Sequence, residues 1–133
     1  MANSKERVLL YQFPADQAEL ITGALRPMGV GVQILSPDAW REKVGYLLGR
    51  KGFLKQTAQE GDVFSFPHRV MLLDGVKGKR LTQVLHAVED AGVPHITYKS
   101  SITPYNTLWT LRYLCEHMAK EHGSEMPTEG NTE

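Results

Sequence analysis

Arg69-Val70-Met71-Leu72-Leu73-Asp74-Gly75 decides the fold, and Val76-Lys77-Gly78-Lys79-Arg80 follows it at once. Four consecutive apolar residues between Arg69 and Asp74 are too few for an isolated helix and read as a strand buried on both faces. Asp-Gly ends the run with turn chemistry. The basic, glycine-containing stretch then leads into a helical pattern. A strand–loop–helix junction of this kind is where small α/β domains often place a ligand.

On the C-terminal side, Leu81, Val84, Leu85 and Val88 form the stripe of an amphipathic helix over 79–91, closed by Gly92 with Pro94 beyond. Val93–Lys99 alternates and begins near a proline, which predicts an edge strand. Thr103 with Pro104, or Asn106, offers a cap for a last helix carrying Leu108, Leu111, Cys115 and Met118 on one face. On the N-terminal side, Val8-Leu9-Leu10-Tyr11-Gln12-Phe13, stopped by Pro14, predicts a second buried strand. Asp16 and Glu19 resemble a capping box for a helix bearing Ala18, Leu20, Ile21, Ala24, Leu25 and Met28. Val30–Leu35 contains glycine and reads as another edge strand. Ser36-Pro37-Asp38 signals the start of a short helix with Trp40, Val44, Leu47 and Leu48. Residues 49–62 read as a loop.

Val8–Leu35 and Val70–Tyr98 share one pattern: apolar strand, short loop, amphipathic helix, Gly-Val, weaker strand. Gly29-Val30 lies over Gly92-Val93 and Ile21 over Val84. This predicts a tandem βαβ duplication. Fully apolar strands belong in the centre of a sheet and punctuated ones at its edges. The expected fold is therefore α+β: a ferredoxin-like βαβ-βαβ duplication with a four-stranded antiparallel sheet and two main helices. An inserted short helix and a C-terminal helix complete it. A parallel, doubly wound sheet is the alternative. Residues 1–122 are expected to form one domain and 123–133 a disordered polar tail.

The chain of 133 residues is long enough for one such core. Its 15 basic and 15 acidic residues cancel, so no global field draws it to nucleic acid or an anionic membrane. A sheet that reads RNA needs aromatics on its central strands, and only Tyr11 and Phe13 qualify; nucleic acid is disfavoured. The single Cys115 forms no intramolecular disulfide, lies on an apolar helix face and reads as a small hydrophobe. Met-Ala-Asn-Ser-Lys-Glu-Arg carries no apolar run behind a basic start, and no stretch is long enough to span a bilayer. A cytoplasmic location is expected, with no membrane partner.

Two segments are candidates for chemistry. Lys77, Lys79 and Arg80 sit at the positive end of the 79–91 helix, against the dipole, and together with its free N–H groups form a candidate site for a small anion. The alternative is a solvated surface, and the spacing is not that of a P-loop. In Lys99-Ser100-Ser101-Ile102-Thr103-Pro104-Tyr105-Asn106, hydroxyls, an amide and a lysine cluster at a strand end. Lys99, Ser100, Thr103 and Asn106 could hold a polar ligand, or the last two could simply cap the helix. Five scattered histidines (68, 86, 95, 117 and 122) lack ligand spacing, so neither a metal nor a cofactor is expected. No nucleophile–base pair, paired acids or Rossmann fingerprint is present.

Val70-Met71-Leu72-Leu73-Asp74-Gly75 and Tyr98-Lys99-Ser100-Ser101-Ile102-Thr103-Pro104-Tyr105-Asn106-Thr107-Leu108-Trp109 match the patterns V-x-L-L-x-G and Y-K-x-x-x-T-P-x-N-x-x-W. With these stretches in view, residues 7–122 resemble a small bacterial family of uncharacterised proteins, domain of unknown function 3783. The resemblance implies no activity; it directs attention to 99–109. The leading expectation is a non-enzymatic module that binds a small anion or regulates, forming a homodimer through a strand edge or sheet face. The alternative is a protein-interaction module using the 40–53 helix and loop, with Trp40, Leu47, Leu48 and Phe53.

Overall fold

The computed structural model describes residues 6–56 and 64–129. The chain forms two compact units, each assembled from two separate stretches of sequence.

The first unit, 1–37 with 67–102, holds the sheet. Strands β1 (Arg7–Tyr11), β2 (Gly31–Ile34), β3 (Val70–Asp74) and β4 (Tyr98–Ser101) lie in the order β2-β1-β3-β4. The two apolar strands are central and the two punctuated strands are at the edges, as their composition predicts. The antiparallel expectation is corrected: β1 pairs β2 in parallel and β3 pairs β4 in parallel. Only the central pair, β1 with β3, is antiparallel. The reason lies in the connections. A strand, a helix and a return strand beside the first can only give a parallel pair, so two such units yield a mixed sheet with one antiparallel seam. β4 also begins later than expected, at Tyr98 rather than Val93, because Pro94 cannot donate to a ladder.

Helices α1 (Ala15–Leu25) and α3 (Lys79–Asp90) cover one face of the sheet. Their Ala18, Ile21, Leu25, Val84 and Val88 pack with Val8, Leu10, Met71 and Leu73 from the central strands. The alternate residues Leu9, Tyr11, Val70 and Leu72 are buried as well, as a strand apolar on both sides requires. α1 starts one residue ahead of Asp16, with Pro14 as its N-cap and no side-chain cap, so the capping box is not formed. Asp74 at the end of β3 is buried and paired with Arg7 at 3.2 Å, and Arg7 also donates to Gln33 at 3.0 Å.

The second unit, 38–66 with 103–133, is built on two turn–helix segments. In each a 3₁₀ turn, Ala39–Arg41 or Asn106–Leu108, precedes a helix, α2 (Val44–Leu47) or α4 (Leu111–Glu129). They join at an antiparallel bridge between Lys43 and Thr110. Val44 N–H donates to Trp109 at 2.8 Å, and Leu111 N–H donates to Glu42 at 2.9 Å. The N-terminal cap of α4 is Thr110, whose Oγ1 accepts from Tyr113 N–H at 3.1 Å. α4 runs through Glu129, so part of the expected tail is helical; residues 130–133 lie outside the described residues. Among the described residues, no helix is long and apolar enough to cross a membrane.

Candidate functional site

Within the first unit, α3, the turn after it and β4 enclose a cleft of about 100 Å³. Leu85, Val88 and Glu89 share a face of α3 through their i, i+3 and i+4 spacing. Gly92, at φ 93°, turns the chain off the helix in a left-handed conformation that suits glycine. Val93, Pro94, His95 and Ile96 then form the rim, and Lys99 of β4 completes it. The floor is apolar: Val88, Val93 and Ile96 are buried.

Lys99 is the cationic group of the cleft, which Glu89 also lines. Its ammonium donates to the Ile96 carbonyl. Burial pushes its pKa below the usual lysine value, and the carboxylate of Glu89 partly opposes that shift. An ammonium has three donors, so a bond to Ile96 leaves capacity for a ligand oxygen. The rim is held by Arg69, whose guanidinium donates to the Pro94 carbonyl at 3.2 Å, to His95 and to Gln17 of α1 at 3.0 Å.

Within the first unit, the residues singled out from sequence do not converge. Lys77 and Lys79 are exposed at the start of α3, while Lys99 lines the cleft beside its last turns. Twelve residues of helix separate the two ends, about 18 Å. Arg80 is engaged by Glu6 at 2.7 Å and by the Met28 carbonyl at 2.8 Å. Ser100 follows Lys99 in β4 and so belongs to the opposite face of the sheet. Thr103 and Asn106, in the second unit, bond each other reciprocally: Thr103 N–H to Asn106 Oδ1 at 2.9 Å, Asn106 N–H to Thr103 Oγ1 at 3.1 Å. The two residues thus spend these groups on each other across the turn 103–106, and the last helix takes its cap from Thr110 instead.

Trp40, Leu48 and Phe53 are used inside the second unit. Trp40 contacts Arg41 and Phe64, Leu48 is buried, and the Phe53 ring sits on Gly45 so closely that no Cβ would fit there. Cys115 is fully buried, and burial pushes its thiol up to about 12. Among the described residues, no group of three or more His, Cys, Asp or Glu is placed to hold a metal ion.

Leu85, Val88, Glu89 and the rim residues 93–96 were missed by the sequence reading. A signal was present: Pro37 stands eight positions after Gly29, but Pro104 stands twelve positions after Gly92.

Residues 69–124 match the family model of a domain of unknown function, DUF3783. The match is shorter than half the chain and includes every residue lining the cleft. No curated protein and no solved structure matches the chain.

Proposed function

We propose that the protein is a non-enzymatic binding module for a small organic carboxylate, held in the cleft between α3 and β4. One observation carries this reading: a partly desolvated lysine, Lys99, stands at the edge of an apolar pocket formed by Leu85, Val88, Val93 and Ile96. Small-ligand sites are built this way, with apolar walls and a few polar groups that fix orientation. The ligand's carboxylate would take the free donors of Lys99 and its short aliphatic body would take the floor. Glu89, across the cleft, favours a ligand that also carries an amine. Lys77 and Lys79 would act at most through their long-range field.

The reading is tested by thermal shift with butyrate and isobutyrate, each against its neutral amide or alcohol, and with valine against valinamide, which keeps the amine and lacks the carboxylate. Carboxylates are expected to raise the melting temperature where the neutral analogues do not, and Lys99→Met is expected to abolish the rise. A ligand at a hundred times its Kd stabilises by about 2.7 kcal/mol, well within reach of the assay. No shift with any carboxylate, or an undiminished shift in Lys99→Met, would sink the reading.

A further inference from the structure

The backbone repeats itself more fully than the βαβ pattern alone indicates. In the sheet, Arg7, Val8, Leu9 and Leu10 pair with Gly31, Val32, Gln33 and Ile34; Val70, Met71, Leu72 and Leu73 pair in the same register with Tyr98, Lys99, Ser100 and Ser101. Leu9 and Leu72, equivalent by this match, lie directly opposite each other in the seam. Leu35 N–H donates to Leu10 at 2.9 Å, and its counterpart Ile102 N–H donates to Leu73 at 2.8 Å.

The correspondence continues into the second unit. Ser36-Pro37 matches Thr103-Pro104, the two 3₁₀ turns match, and Tyr46-Leu47 matches Tyr113-Leu114. Lys43 and Thr110 are equivalent, and they bridge each other. The backbone bonds flanking that bridge, Val44 to Trp109 and Leu111 to Glu42, exchange when the halves are exchanged. Even the one non-glycine residue with positive φ among those described fits: Gln12, at φ 65°, stands where the other half has Gly75 at φ 77°.

From this we infer that residues 7–48 are a second copy of the unit that the family match finds at 69–124, and that the cleft was added to one copy only. In the first half Val30 runs straight into β2 at Gly31; in the second, Pro94-His95-Ile96-Thr97 intervenes between Val93 and β4. Three of them, Pro94, His95 and Ile96, supply most of the rim, and the four together are the whole length difference between Gly-Val and the return strand. The repeat stands without any ligand. The specificity of the added segment for a carboxylate rests on the binding reading above.

The test uses the full chain with residues 94–97 deleted, and reads amide hydrogen exchange at Ile102. Retained protection within about tenfold of wild type supports the repeat, because β4 then joins its helix as β2 does. A folded variant with Ile102 unprotected overturns it. Ile96 is buried, so the deletion could cost the whole fold. A second variant then decides, with Gly-Ser-Gly-Ser inserted between Val30 and Gly31: protection kept at Leu35 supports the repeat, and protection lost overturns it. A folded deletion variant is also titrated with isobutyrate. Loss of at least tenfold in affinity is expected, and unchanged affinity overturns the assignment of the cleft to the added segment. If wild-type protein binds no carboxylate, the binding reading fails and the exchange result still judges the repeat.

Discussion

Truncating Leu9 and Leu72, singly and together, probes the seam where the two halves meet. Both side chains are fully buried, and they sit opposite each other in the antiparallel pair. Directly opposed residues have Cβ atoms about 5 Å apart and interact across the strands. A buried Leu→Ala change costs about 2–5 kcal/mol, the lost transfer energy plus the cavity left behind. The whole fold is worth only about 5–15 kcal/mol. Leu9→Ala and Leu72→Ala should therefore each cost about 3 kcal/mol, and equivalence of the halves requires the two costs to agree within about 1 kcal/mol. With a urea m-value of about 2 kcal/mol/M, each midpoint should fall by roughly 1.5 M. The double variant should lose about 0.5–1.5 kcal/mol less than the sum, because the Leu–Leu contact is removed only once. Urea denaturation followed by tryptophan fluorescence measures all three. Costs differing by more than about 2 kcal/mol, or a strictly additive pair, would refute the reasoning.

Gln12→Gly should leave stability nearly unchanged: about 1 kcal/mol of left-handed strain is relieved, while chain entropy and an exposed bond to the His68 carbonyl are lost. Gly75→Gln should cost about 1 kcal/mol for the reverse strain, so chemical denaturation will separate the two. Cys115, with its thiol pushed up to about 12 by burial, should resist a disulfide reagent at pH 8 and react fully in urea. Glu6 has its pKa lowered by its hydrogen bond from Arg80, so it stabilises above the ordinary carboxylate range and that contribution is lost as pH falls through its folded value. Arg80→Ala should flatten that part of a melting-temperature profile between pH 5 and 3. Lys99 has its pKa lowered by burial, so its protonated form is penalised in the fold at neutral pH; the penalty is relieved as pH rises toward the unfolded value. Lys99→Met should therefore melt no lower than wild type at pH 7, even as it loses carboxylate binding.

Central and edge strands were legible because burial on both faces leaves a mark in composition. Val8–Leu10 and Val70–Leu73 are unbroken apolar runs, while Gly31 and Pro94 punctuate the weaker segments. Strand direction leaves no such mark. It follows from the connections, and counting those would have yielded the mixed sheet. The cleft was illegible for a different reason: Leu85, Val88 and Val93 look like ordinary core residues, and only the four extra positions after Val93 set them apart. Thr103 and Asn106 show the opposite case, where residues suited to bind a ligand were already spent on local hydrogen bonds.

The antiparallel seam also fixes the order in which the molecule can be assembled during synthesis. Each βαβ half closes over short sequence distances, but Arg7 must find Asp74. At roughly 5–20 residues per second, a ribosome takes several seconds to deliver that partner. For that interval the nascent first half carries one bare strand border, lined by Val8, Leu9 and Leu10, the kind of surface that recruits chaperones or neighbouring chains.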